Sequence, residues 1–233
     1  MNKEREVRTL LMEIRAEQDE EKGAVIEGYP IVFNQETDLG EWREVIDPSA
    51  VSEKNLRDVA LMVGHDFGMI PLAHSRRNNG SGTMQLTPDE HGVKMRALLD
   101  PDHNPRAAEA YSAVTRGDMT GMSFAFIVNE ETWEDLDTEK PLRGITGMSD
   151  IFEVSLVAFP AYKGTSVQAA SEGPALESVR ASLESARKQL AEERAAAEAA
   201  EEARKAEEAM QERRRAALER LEKLQKEVRD HEV

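Results

Sequence analysis

Cysteine is absent from this 233-residue chain, which removes disulfides, thiol nucleophiles and thiolate zinc sites and suits a reducing compartment. Aromatic residues make up only 5%. No apolar run approaches the roughly 18 residues of a membrane span. The opening Met1-Asn2-Lys3-Glu4-Arg5-Glu6-Val7 lacks the hydrophobic stretch of a secretory leader, so the expectation is an intracellular, soluble protein. Basic charge is scarce: 30 Lys and Arg against 46 Asp and Glu give a formal net charge of −16. That balance argues against nonspecific nucleic-acid or anionic-membrane partners, which reward Lys and Arg, and suits partners with basic patches. Glycine and proline are missing altogether from Ala175 to Val233.

What is present divides the chain at that point. Val7 to Arg15, Gly23 to Phe33, Trp42 to Ile46 and Val59 to Val63 are rich in apolar and β-branched residues and read as strands. Ser49 to Arg57, following Pro48, reads as a short helix. Thr83–Thr87 and Gly92–Leu99 read as a strand pair around the turn Pro88-Asp89-Glu90-His91. Asn104-Pro105 caps a helix running to about Arg116, and Gly117 stops it. The acidic stretch Asn129 to Lys140 reads as a loop or a solvated hairpin arm, and Ile151 to Phe159 as a strongly apolar strand closed by Pro160. A mainly β domain with flanking helices therefore accounts for residues 1–168, and residues 169–174 form a linker. Residues 175–233, dominated by Ala, Glu, Arg, Lys and Leu, read as helix. Leu176, Val179, Leu183, Ala186 and Leu190 form one seam; Ala217, Leu221, Leu224 and Val228 form another, out of phase with it. The expectation is two weak coiled-coil segments, about 80 Å long if continuous, too polar to bury themselves against their own domain and suited to association.

The candidate chemistry centres on Gly121-Met122-Ser123-Phe124-Ala125-Phe126. Strand alternation puts Met122, Phe124 and Phe126 on one face and Ser123 on the other among small side chains, where a substrate backbone could approach it. A serine nucleophile needs a base, for which imidazole is best matched to neutral pH. Of five histidines, His231 lies in the tail, His91 in a turn and His103 in the helix-capping segment. His65 ends an apolar strand after Gly64, and His74 competes with it. The base needs an orienting group. Glu153 interrupts the apolar strand and implies a partner, because a buried unpaired carboxylate costs several kcal/mol. Asp66 is a poor orienter, since neighbouring strand residues point to opposite faces. No histidine pair shows helical metal-ligand spacing, and no metal or cofactor is expected.

Three separated motifs, Gly64-His65-Asp66, Arg116 to Phe126 and Glu153 to Ala161, together with the Asn79-Gly80 turn and the Thr165-Ser166-Val167 exit, closely resemble the prohead proteases of tailed phages. That family is related in fold to herpesvirus assemblin. The resemblance covers most of residues 20–168 and implies an α+β fold with a mainly antiparallel, barrel-like protease domain, followed here by the long C-terminal helix. It implies a serine endopeptidase with Ser123 as nucleophile, His65 as general base and Glu153 as third member. The herpesvirus enzymes carry a second histidine at that third place, so the carboxylate fits the phage branch. The backbone amides of the Pro160–Gly164 turn are the oxyanion candidates by position alone. The implied partners are the scaffold protein, the major capsid protein or its scaffolding segment, and other copies of the chain, through autocleavage around Gly164–Pro174 or oligomerisation. The implied location is the host cytoplasm, inside the immature capsid. The competing reading is a noncatalytic coiled-coil assembly protein of the capsid.

Overall fold

A computed structural model describes residues 4–11, 14–20, 23–158 and 174–231. The fold is α+β. Eleven strands are described: β1 (Glu6–Leu11), β2 (Arg15–Asp19), β3 (Gly23–Val32), β4 (Thr37–Asp38), β5 (Arg43–Ile46), β6 (Ala60–Val63), β7 (Ala73–His74), β8 (Met84–Pro88), β9 (Gly92–Leu98), β10 (Gly121–Glu134) and β11 (Leu142–Val157). Two helices, α1 (Pro105–Arg116) and α2 (Pro174–His231), complete it.

The strands form a seven-stranded sheet in the order β1-β10-β11-β5-β4, with β6 on β11 and β7 on β6, and a four-stranded sheet in the order β2-β3-β9-β8. Pairing is antiparallel except where β11 meets β5 and β6. The barrel-like closure expected from the sequence is not found: the described strands make two open sheets. One core joins them, with Ile26, Met95 and Leu86 from the small sheet packed with Leu61, Phe124, Phe126, Val154 and Leu156 from the large one.

Local chemistry explains most elements. Asn104 caps α1 by accepting from the amides of Arg106 and Ala107, Pro105 takes the first helical position, and Gly117 ends the helix at φ 76°. Ala107, Ala110 and Val114 are its buried stripe. The acidic stretch after Ser123 continues β10 to Glu134 and turns into β11, so it is a hairpin arm. Two local expectations fail. The run Val7 to Arg15 belongs to two strands in different sheets. The expected helix Ser49–Arg57 is one 3-10 turn, Pro48–Ala50; Asn55 is instead drawn to the carbonyls of Met148 and Ser149, and tertiary partners outweigh weak helix propensity.

The chain divides into two compact units, Met1–Leu183 and Glu184–Val233. The first turns of α2 do bury themselves, against the expectation from the sequence. Ala175, Val179 and Leu183 are buried, Ser182 accepts from the Trp133 indole at 3.0 Å and bonds Glu131, and Arg180 pairs with Glu41. A short apolar stripe suffices for the first turns. In the second unit, exposed ion pairs one turn apart, such as Lys205 with Glu201 and Arg215 with Glu219, line the helix. Met210, Leu218 and Leu221 stand exposed.

Candidate active site

Pairing in the large sheet brings the candidate residues together. On one rung Thr9, Ser123, Ser155 and Met62 lie side by side across β1, β10, β11 and β6; two rungs along lie Val7, Ala125, Glu153 and Ala60. Because side chains alternate along strands, Ser123, Ser155 and Glu153 share one face. The opposite face carries Phe124, Val154 and Leu61 into the core.

His65 reaches this face through a tight turn. After β6, Gly64 and His65 both take positive φ, 61° and 59°, and the Asp66 amide bonds the Val63 carbonyl at 3.2 Å, as in a turn of the I′ kind. Glycine suits the first central position; at the second, His65 carries a side chain in the left-handed region, which needs support. That support comes from Ser155, whose Oγ accepts the His65 amide at 3.0 Å, and from the Gly64 amide on the Leu156 carbonyl at 3.0 Å.

The imidazole lies against Glu153, with Nδ1 and Oε1 2.6 Å apart. A carboxylate only accepts, so in the neutral imidazole Nδ1 carries the proton and Nε2 presents its lone pair. Glu153 is fully buried. Its second oxygen accepts from Ser155 Oγ at 2.6 Å, so the partner its burial requires is a histidine and a serine. His65 Nε2 is buried and has no hydrogen-bond partner among the described residues.

Ser123 is placed differently from expectation. It is fully buried instead of open to an approaching backbone. Its Oγ donates to the Arg8 carbonyl at 2.8 Å and accepts from Thr9 Oγ1 at 3.0 Å. The edge strand β1 thus occupies both uses of the hydroxyl, and no hydrogen bond joins Ser123 to His65. The strand is itself pinned by buried charges: Arg8 pairs with Glu44 and Glu6 at 2.6 Å each, and Arg143 with Glu6 at 2.8 Å. Burial works against each charge, but the opposing charges and hydrogen bonds outweigh it, holding Arg8 and Arg143 above the usual guanidinium range and Glu6 below the usual carboxylate range.

The other histidines stand apart. His74 ends β7, where burial first and then Arg76 lower its pKa, and its Nδ1 accepts from the Arg76 amide. His91 packs edge-on to Tyr29, and His103 pairs with Asp100 at the surface. Asp66 turns away to the Gly68 amide and Arg106. No group of three or more acidic or histidine side chains able to hold a metal ion occurs among the described residues. Sequence reasoning missed Ser155, Thr9 and the exposed Phe67, over which Arg5 stacks at 4.5 Å. Only Ser155 left a signal, two residues from Glu153 and so on the same strand face. The oxyanion candidates at Pro160–Gly164 and the expected linker and autocleavage region as far as Gly173 lie outside the described residues, while Pro174, their expected last residue, opens α2.

A histidine bonded to a buried carboxylate, one strand from a serine, is an arrangement found in hydrolytic sites that use nucleophilic catalysis. The model of the caudovirus prohead serine protease family matches residues 11–178, and the chain belongs to that family. It is similar to the prohead protease of Enterobacteria phage HK97, at 26% identity over 162 residues, which is 68% of this chain and 65% of that relative. It thus spans just under two thirds of the relative's length. No solved structure matches the chain.

Proposed function

We propose that the chain is a serine endopeptidase of phage capsid maturation. In this reading Ser123 is the nucleophile, His65 its base and Glu153 the group that fixes the imidazole. The observation that carries it is the 2.6 Å contact between His65 Nδ1 and the buried Glu153, which in the neutral imidazole puts the lone pair on Nε2, a nitrogen with no hydrogen-bond partner among the described residues. A buried imidazole nitrogen without a partner is costly as structure alone and useful as a proton acceptor.

The chemistry begins with Ser123 giving up the Arg8 carbonyl and turning to His65 Nε2. His65 takes the hydroxyl proton as Oγ attacks the scissile carbonyl; the imidazolium then protonates the leaving amine, and water hydrolyses the acyl-enzyme with the same base. Glu153 holds the imidazole's orientation and balances its transient charge. The kinship in fold with herpesvirus assemblin belongs to the same reading. Its substrates are the scaffold protein or the scaffolding segment of the major capsid protein, and the chain itself, within the immature capsid in the host cytoplasm. The helix of the second unit binds helical scaffold or further copies of the chain, raising local substrate concentration.

The test is co-expression of wild type and Ser123→Ala with a candidate capsid protein, with intact mass measured for every species. Trimming by wild type and none by Ser123→Ala supports the reading. Identical masses from both would favour the noncatalytic assembly protein.

A further inference from the structure

We infer that Ser155 is a positioning residue for the proposed reaction, setting the geometry of both His65 and Glu153. The inference rests on the reading of Ser123, His65 and Glu153 given above. Ser155 is fully buried and has one proton to donate and lone pairs to accept with. The proton goes to Glu153 Oε2 at 2.6 Å, and a lone pair takes the His65 amide at 3.0 Å. One hydroxyl therefore ties the carboxylate that orients the imidazole to the backbone from which that imidazole projects.

Each bond answers a specific need. The carboxylate can rotate about its last bond, and holding Oε2 directs Oε1 at Nδ1. The His65 backbone sits at φ 59°, a conformation that persists only when its surroundings fix it. Ser155 also occupies the position across from Ser123, so the fixed imidazole is referenced to the strand beside the nucleophile. The role differs from that of Ser123, because the Ser155 proton is already committed to a carboxylate.

The test measures the rate at which a fluorophosphonate, which phosphonylates activated serines with loss of fluoride and needs no known substrate, labels the full-length wild type, Ser155→Ala, Ser155→Thr and Ser155→Cys, with Ser123→Ala as control. For Ser155→Ala the expected result is a maximal labelling rate about 10- to 100-fold lower, the range for losing a hydrogen bond to a charged group, with the probe's half-saturating concentration unchanged. The hydrogen-bonded His65 Nδ1 proton should shift or vanish in the NMR spectrum. Ser155→Thr, which keeps the hydroxyl, should restore both. Should Ser155→Ala fail to fold, Ser155→Cys carries the test, with an intermediate loss expected from its weak S–H donor. Labelling of Ser155→Ala or Ser155→Cys at the wild-type rate, or a Ser155→Thr no better than Ser155→Ala, would overturn the positioning role alone. Equal labelling of wild type and Ser123→Ala would instead bring down the reading of the nucleophile, and this inference with it.

Discussion

At the scale of single residues, the proposed chemistry depends on a proton that Glu153 keeps on His65 Nδ1. Glu153→Gln can offer its amide to that nitrogen and so favour the wrong tautomer, and peptide hydrolysis should fall by about 10⁴-fold in kcat; a loss under tenfold in steady-state kinetics would remove Glu153 from its role. Thr9 gives the opposite sign. Its hydroxyl donates to Ser123 Oγ, so Thr9→Val should speed fluorophosphonate labelling by about fivefold, the worth of one neutral hydrogen bond, and an unchanged rate would show that this contact does not restrain the nucleophile. Much at this scale was legible: an acid inside an apolar strand announced a buried partner, and His65 after Gly64 announced a placed side chain. The burial of Ser123 was not. It depends on β1, more than a hundred residues earlier in the chain, and no local pattern reports which strand will cover another.

At the scale of elements, the Gly64-His65 turn and β1 carry the site. Gly64 has φ 61° with open space where a Cβ would stand, so Gly64→Ala should cost about 1 to 2 kcal/mol through backbone conformation alone. β1 is anchored by Glu6, whose carboxyl is opposed by burial but held low by Arg143 and Arg8. A depressed folded pKa contributes stability that is full above the unfolded value of 4.5 and is lost as pH falls through the folded one. Glu6→Gln should therefore destabilise the protein by about 3 to 5 kcal/mol near neutral pH, and urea melts should show the gap to wild type narrowing below about pH 4; a gap constant with pH would contradict the pairing. Sequence pattern located most of the strands and α1, where capping and alternation are local signals. It joined β1 to β2 because two strands of different sheets can follow one another in a single apolar run, and it made a helix of Ser49–Arg57 because Asn55's distant carbonyl partners leave no trace nearby.

At the scale of the whole molecule, the first unit reaches into the long helix as far as Leu183. The sequence puts Val179 and Leu183 in an apolar seam but predicts a helix too polar to bury itself; with Ala175 they are buried and pack within that unit. A chain ending at Leu190 should keep its melting temperature, whereas one ending at Gly173 should melt lower by about 6 °C or more, given about 3 kcal/mol for two buried aliphatic side chains; calorimetry of the two would reveal it, and equal melting would contradict the packing. The open pairing of the two sheets could not be read from strand patterns, which report faces and not closure. The central claim is that Ser123, fully buried on the strand that pairs with the one carrying Glu153, is the residue that attacks. Its most direct test is peptide mapping, by mass spectrometry, of the adduct formed between the full-length protein and a fluorophosphonate. The account predicts one adduct, on Ser123, absent from His65→Ala; an adduct on Ser155 or another serine, or one that survives the loss of His65, would contradict it.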